Sequence, residues 1–477
     1  MEIRLFNTLT RQLEPFQPIE PGRVRMYTCG LTVYDYGHIG NYRTFVSVDV
    51  LQRFLASEGY DVESVMNITD VDDKMILRSR EAGKPLHEYA GIYTQAFLDD
   101  LGMLEIRRPR HLVKATDFIP EMVAWIQKLI DSGHAYESDG SVYFRVSSFP
   151  NYGRLSGKDM AGLQAGARVD VDEYDKEEAR DFVLWKAYKE GEPYWESPWG
   201  KGRPGWHIEC SVMSMHLLGE SFDLHAGGTD LIFPHHENEI AQSEAVTGKP
   251  FVRYWLHTEF LLVNGEKMSK SKGNFFTLRD LMKQGHRPSA VRYLLASVPY
   301  RRQLNFTIEG LEQAAASVER LRTFRDRVLR ESLPQGTNES LNQAAAAAHQ
   351  AMRTALADNL NTAEALAAIF DLVKAGNTAL DAREFLAGNR QPVLDVLAAF
   401  DAIFAVLAVD DHAKMKQYGQ AAASGLTDAE VEALVAERTA ARQARNFARA
   451  DELRKQLEAS GVLVEDVKGG GVRWRWK

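Results

Sequence analysis

Cysteine is nearly absent from this sequence: 477 residues contain two, Cys29 and Cys210. Two cysteines allow one disulfide at most, so no disulfide framework organises the fold. In a reducing compartment a metal-binding or catalytic use of them is the expected one. Long apolar runs are missing too. No stretch approaches the ~18 apolar residues that a membrane span needs, so no membrane partner is expected. The opening Met-Glu-Ile-Arg-Leu-Phe-Asn lacks the architecture of a secretory leader, which makes a cytoplasmic location the expectation. Positive charge is not in excess either: 57 Lys and Arg stand against 66 Asp and Glu, a net charge of −9. That argues against a uniformly basic coat, although a local basic stripe is enough to hold a nucleic acid.

What is present is the composition of a globular protein, 45% hydrophobic and 26% charged, in a chain too long for one core. The expected class is α/β: a Rossmann-like parallel sheet carrying an insertion, then an all-helical bundle, then a small C-terminal α+β unit. Residues 24–41 are the organising stretch. Residues 24–28 read as a short buried strand, Cys29 and Gly30 sit at its end, and a loop leads to His38-Ile39-Gly40-Asn41 and an amphipathic helix over 43–58. Ligands of open α/β sheets bind beyond the carboxyl ends of strands, where helix N-termini offer unpaired N–H groups to anions. Gly40 admits close approach to the backbone, and His38 can place a donor on a phosphate oxygen.

Residues 1–23 form a short segment with three prolines, and 61–68 read as a second strand, ending in Asn67-Ile68-Thr69-Asp70. A helix over 86–101, a strand over 109–116, a helix from Asp117 to about Asp131 and a hairpin over 134–146 follow. The sheet is expected to resume at 202–211, with later strands at 222–226 and 254–262. Alanine and leucine at helical spacing dominate from 317 to 409, which predicts a bundle; 410–425 read as a linker. From Glu437 onward ten Lys or Arg face six Asp or Glu, with Arg473, Trp474, Arg475 and Trp476 at the tip.

Two clusters carry chemistry. Cys29, Cys210, His235 and Glu239 all fall at strand ends or helix starts on one side of the expected sheet. His235 and Glu239, four apart, share a helix face. Two thiolates, an imidazole and a carboxylate make an acceptable tetrahedral zinc set, with His207, His225 or His236 as alternative members. The second cluster is Lys267-Met268-Ser269-Lys270-Ser271-Lys272-Gly273, a loop of ammonium groups among small residues, suited to neutralising charge on a reacting phosphate. Either cluster alone competes with a plainer origin: buried free thiols with a capping His–Glu pair, or an exposed lysine-rich turn.

Together, and in this order, 38–41 and 267–271 resemble the two signatures of class I aminoacyl-tRNA synthetases. Residues 34–41, 67–74, 202–211, 223–239 and 300–306 narrow the resemblance to the cysteinyl-tRNA synthetase family, and 360–366 and 448–454 extend it over the whole chain. Two departures are Leu31, where the family usually has proline, and Lys272, where it usually has leucine. The resemblance implies one Zn²⁺ held by Cys29, Cys210, His235 and Glu239, with Glu239 the loosest ligand. It implies an amino-acid pocket lined by Cys29, Thr69, Trp206 and Asp230, and ATP bound with Mg²⁺ at His38, Gly40, Asn41 and Lys270. His38, Lys267 and Lys270 would be the catalytic groups. The implied partners are tRNA(Cys), ATP and L-cysteine, and the implied state is a monomer. The implied units are catalytic halves at 1–116 and 201–255, an acceptor-end insertion at 117–200, a stem-contact segment at 256–316, a tRNA-binding bundle at 317–409 and an anticodon domain at 426–477. Zinc fits the substrate, because a borderline-soft ion takes a thiolate and lowers a thiol's pKa, whereas the hydroxyl of serine is a poorer ligand. The nearest rivals are a cysteine:aminosugar ligase on the same core and a non-catalytic zinc-containing RNA binder.

Overall fold

The computed structural model describes residues 1–158, 181–417, 428–444, 446–459, 462–467 and 471–476. Part of the expected insertion and of the expected 410–425 linker, and the side chains of Arg473, Arg475 and Trp476, lie outside the described residues. Five parallel strands form the central sheet, in the spatial order Val252–Thr258, Phe222–Gly228, Arg23–Thr28, Asp61–Ile68, His111–Lys114. Asp61–Ile68 is buried continuously from Ser64 on, as a parallel strand covered on both faces must be. The chain builds outward from Arg23–Thr28 to one edge, then returns to build the other. The sheet therefore has a topological switch point between Arg23–Thr28 and Phe222–Gly228, and a crevice opens beyond the carboxyl ends of those two neighbours.

The helix entering that crevice, Ile39–Ser57, starts four residues before the expected 43–58, because His38 and Asn41 cap each other reciprocally. Its inner face (Tyr42, Phe45, Val46, Phe54) packs into an apolar core that runs on through Leu295 to the bundle residues Leu321, Ile369 and Phe400. Buried arginines tie these layers together. Arg292 pairs with Asp49 at 2.6 Å and donates to the Leu104 carbonyl at 2.8 Å; Arg43 donates to the carbonyls of Leu295, Val298 and Pro299. The bundle comprises Ile308–Arg330, Glu339–Ala357, Thr362–Ala382 and Arg390–Phe404. Its first helix begins nine residues before the compositional shift, where Thr307 caps Gly310 N–H at 2.9 Å. Within the C-terminal unit, Val431, Val435, Leu457 and Val462 make a separate small core, and Trp474 packs against it.

Three expectations need correction. The sheet does not resume at 202–211: Gly202–Pro204 is the edge strand of a four-stranded antiparallel sheet, paired with Phe182–Ala187, and the central sheet resumes at Phe222. Pro204 cannot donate to a ladder, which suits an edge position. The strand expected over 254–262 is two strands, Val252–Thr258 in the central sheet and Leu261–Val263 in a three-stranded one. The proline-bearing start holds an antiparallel hairpin, Arg4–Asn7 with Gln12–Pro15. Among the described residues no helix is long and apolar enough to cross a membrane.

Candidate functional site

The two thiols meet at the switch point. Cys29 directly follows Arg23–Thr28, and its N–H donates to Ala226 O of the neighbouring strand at 3.3 Å. Cys210 lies on the helix Trp206–Leu218. Both are free and buried, with sulfurs 3.7 Å apart. The chain after Phe222–Gly228 delivers the other donors: His235 Nε2 is 3.1 Å from Glu239 Oε1, and that oxygen is 3.8 Å from Cys29 Sγ. Among the described residues two overlapping groups of potential ligands result, Cys29–Cys210–His235–Glu239 and Cys29–His225–His236–Glu239, each with its ligand atoms within 4.8 Å of one another. The expected set is the first. The alternatives His225 and His236 occur together in the second, with His225 Nε2 on Glu239 Oε2 at 2.8 Å and His236 Nε2 3.3 Å from Cys29 Sγ. His207 belongs to neither; its Nδ1 lies 2.9 Å from His235 Nδ1.

Electrostatics indicate what this floor lacks. Burial, with the neighbouring thiol and carboxylate, pushes the Cys29 thiol well up, and burial raises Cys210 as well. Burial, reinforced by the neighbouring imidazoles, pushes His235 and His236 well below the ordinary histidine value, and burial holds His257 at about 3. Two thiols that burial keeps protonated are thus enclosed beside the imidazoles of His235, His236 and His257, which burial keeps neutral. Ionising buried thiols without a counter-charge is costly, and a divalent cation relieves that cost. The Cys–Cys–His–Glu chemistry of the first group fits Zn²⁺.

The wall above the floor comes from the other expected pocket residues. The Trp206 ring stacks on His235 with centroids 4.1 Å apart, and the residue remains 37% exposed. Thr69, buried, donates its hydroxyl to Glu209 Oε2 at 2.7 Å and accepts from Asn67 Nδ2 at 3.3 Å. Its N–H donates to Leu31 O at 3.1 Å, so the Leu31 departure acts through a carbonyl that proline would also offer. Asp230 is exposed and folds back over Gly228, where a Cβ would lie 2.3 Å from Asp230 Oδ1. Desolvation by the surrounding protein raises the Asp230 carboxyl pKa, and the Lys267 charge opposes that rise.

The two signatures form the rim. Because His38 Nδ1 accepts the Asn41 N–H at 3.2 Å, a neutral His38 keeps its proton on Nε2. Burial, with the Lys270 charge adding to it, lowers the His38 pKa to about 4. Gly40 leaves room for the ring, since a Cβ there would sit 3.0 Å from two imidazole atoms and 3.4 Å from Met268 of the lysine loop. The loop is anchored beside the signature helix: Ile39 N–H donates to Phe276 O at 3.0 Å, and Phe275 packs edge-on against His38. Lys270 reaches back to Asp35, Nζ to Oδ2 2.5 Å, and Lys272 pairs with Glu266 at 2.9 Å. Lys267 stands over the Phe260 ring at 5.7 Å.

Sequence reasoning passed over Asp35, Glu209 and His257. Asp35 and Glu209 lie inside the quoted stretches, but nothing in their spacing marks them. His257 becomes relevant only through His236, whose Nδ1 is 2.8 Å from His257 Nε2.

Comparison with known proteins bears on the same regions. A family model described as the catalytic domain of class I (C) tRNA synthetases matches residues 15–316, the DALR domain model matches 351–409, and a cysteinyl-tRNA ligase anticodon binding domain model matches 425–475. The chain is similar to the cysteine–tRNA ligase of Koribacter versatilis (strain Ellin345), 55% identical over 496 residues, and to that of Solibacter usitatus (strain Ellin6076), 54% identical over 477 residues, with 100% of both chains covered in each case. Among solved structures, methionyl-tRNA synthetase of Mycobacterium tuberculosis in complex with methionyl-adenylate superposes with a TM-score of 0.60 at 16% identity, over 84% of this chain and 94% of that one. That likeness shows a shared fold.

Proposed function

The chain belongs to the cysteine–tRNA ligase family of class I aminoacyl-tRNA synthetases, enzymes that attach cysteine to tRNA, and on that footing we propose how its cleft performs the reaction. The cysteine carboxylate attacks the α-phosphorus of ATP, the bond to the β-phosphate bridging oxygen breaks, and pyrophosphate leaves. The terminal ribose hydroxyl of tRNA(Cys) then attacks the carbonyl of the cysteinyl-adenylate and displaces AMP. No protein nucleophile is required. Catalysis rests on orientation and on stabilising the charge that develops on phosphorus. The neutral His38 donates through Nε2–H, the N-terminus of Ile39–Ser57 faces ATP across Gly40 and Asn41, and Lys267 and Lys270 supply mobile positive charge, with Mg²⁺ on the departing pyrophosphate.

Cys29, Cys210, His235 and Glu239 would hold zinc, which when bound supplies a soft Lewis acid that discriminates a thiol from the hydroxyl of serine and lessens the need for an editing site. Thr69, Trp206 and Asp230 would hold the rest of the amino acid. Catalytic halves at 1–116 and 201–255 would flank an insertion at 117–200 that takes the acceptor end. The segment 256–316 would contact the stem, the bundle at 317–409 the body of the tRNA, and 426–477 its anticodon. We assign a cytoplasmic monomer. The observation that carries the reading is the 3.7 Å approach of two sulfurs contributed 181 residues apart, at the switch point of the sheet. The anticodon-binding match at 425–475 favours tRNA over an aminosugar acceptor.

The experiment is cysteine-dependent ATP–pyrophosphate exchange, with metal analysis of the same preparation. Exchange with cysteine and not serine, and about one zinc per chain, is expected. Exchange without zinc would reject the selection mechanism.

A further inference from the structure

The two signatures are tied together by residues that belong to neither. Arg279 lies on the short helix Leu278–Lys283, just beyond the lysine loop. Its guanidinium stands over the Tyr36 ring, 4.6 Å from the centroid. Its Nε lies 3.6 Å from Asp100 Oδ1, and its Nη2 donates to Ala96 O at 3.4 Å. Asp99 is more distant, at 3.9 Å. Asp100 is fully buried on the helix Leu86–Met103, and its other oxygen accepts from the Tyr42 hydroxyl at 2.6 Å. Tyr42 belongs to the helix that begins after His38. Its hydroxyl lies against Gly37, where a Cβ would sit 2.6 Å from the Tyr42 oxygen. One carboxyl group on a third helix therefore joins the start of the first signature to the end of the second.

The loop before His38 grips the lysine segment twice. Asp35 takes the Lys270 ammonium at 2.5 Å, inside the lysine loop, and its neighbour Tyr36 takes Arg279, beyond it. Tyr36 is itself met edge-on by Tyr93, with centroids 5.1 Å apart. The two grips differ in kind. The first is at the surface, where a competing phosphate can replace the carboxylate. The second is mostly enclosed, with the Arg279 side chain 25% exposed. Burying such a pair adds little to stability, because desolvation offsets the attraction, and an apolar side chain would fill the space as well. What it confers is direction: a planar guanidinium held between a ring and a carboxyl group has one orientation.

We propose that Arg279 is a positioning residue for adenylate formation: held between the Tyr36 ring and Asp100, it fixes the end of the lysine loop and so aims Lys267 and Lys270 at the phosphates. The proposal rests on the adenylate-forming reading above and adds the part that directs its mobile charges.

The test compares Arg279→Met and Tyr36→Leu in the full-length protein. Arg279→Met keeps an apolar stem and removes the guanidinium. The kcat of cysteine-dependent pyrophosphate exchange should fall about 10-fold, the worth of one charge-assisted hydrogen bond, with the KM for cysteine unchanged. Tyr36→Leu leaves Asp100 paired and alters a side chain that is 38% exposed, so it keeps the test decisive if Arg279→Met does not fold. Its loss should be about 3-fold, as for a partly exposed cation–π contact, and the double variant should be no worse than Arg279→Met. A second readout follows the loop itself. Tryptic cleavage after Lys267, Lys270 and Lys272 should quicken in both variants, because cleavage of a folded chain tracks local opening, while cleavage elsewhere keeps its wild-type rate. A merely structural role predicts faster cleavage throughout, or lost exchange without faster cleavage at the loop. Either result, or unchanged exchange, overturns the proposal. Wild-type protein that fails to exchange with cysteine would instead reject the reading beneath it.

Discussion

Cys29, Cys210, His235 and Glu239 are all buried, whereas Lys267 and Lys270 are exposed. The floor is drawn from distant segments and held by packing: Trp206 on one face of His235, Trp255 stacked on His225 at 4.5 Å. The rim is drawn from two short loops and held by surface ion pairs. The difference follows from what each would do. Choosing between sulfur and oxygen requires fixed donors with water excluded, because desolvation makes the choice steep. Meeting charge that appears only in a transition state requires groups that stay charged and can move, which burial would prevent.

If this division is right, damage to the floor and to the rim should separate in the kinetics. The largest effect is expected for Cys210→Ser. Loss of a ligand should remove zinc and lower exchange by more than the ~10²-fold typical of changes around a metal site, measured by metal content and exchange on one preparation. Full zinc with normal exchange would dissolve the contrast. Lys270→Ala should come next, slowing adenylate formation by ~10²-fold with the KM for cysteine unchanged. A matching rise in that KM would mean that floor and rim are one device.

A smaller effect concerns acid. His38 titrates at about 4 when folded, against an ordinary 6.5, so between those values the unfolded chain binds the extra proton. Stability from this group is complete above pH 6.5 and is lost as pH falls towards 4. The melting temperature of a His38→Asn variant should therefore fall less between pH 6.5 and 5 than that of the wild type; parallel curves would contradict the depressed pKa. The smallest effect is expected for Asp35→Asn. Its pair with Lys270 has side chains 35% and 59% exposed, and such pairs contribute no more than about 1 kcal/mol. The variant should unfold within a degree or two of the wild type, as calorimetry would show, and a shift of many degrees would mean that the rim is locked like the floor.

Much of this arrangement is legible along the chain. The strand over 61–68 is found as read, since its β-branched run is buried on both faces and nothing competes with it. The helix after His38 is found, but it starts at Ile39 and not at 43, because His38 and Asn41, three apart, cap each other. The two thiols stand out because there are only two. Other features resist such reading. Gly202–Pro204 lacks the composition of a strand, and no local pattern says which sheet it joins. Leu261–Val263 follows Val252–Thr258 closely, and only Glu259 and Phe260, outside either strand, separate them. His225 and His236 are indistinguishable from His235 until their nitrogens are placed around Glu239.

The sequence by itself determined the local elements, the caps that begin them and the kinds of donor available, because those depend on residues within a turn or two of one another. Which histidine meets which sulfur, and that Asp100 stands buried between Tyr42 and Arg279, only the tertiary structure decided. Desolvation and hydrogen-bond direction are properties of neighbours in space, and the order of side chains along a chain does not specify who those neighbours are.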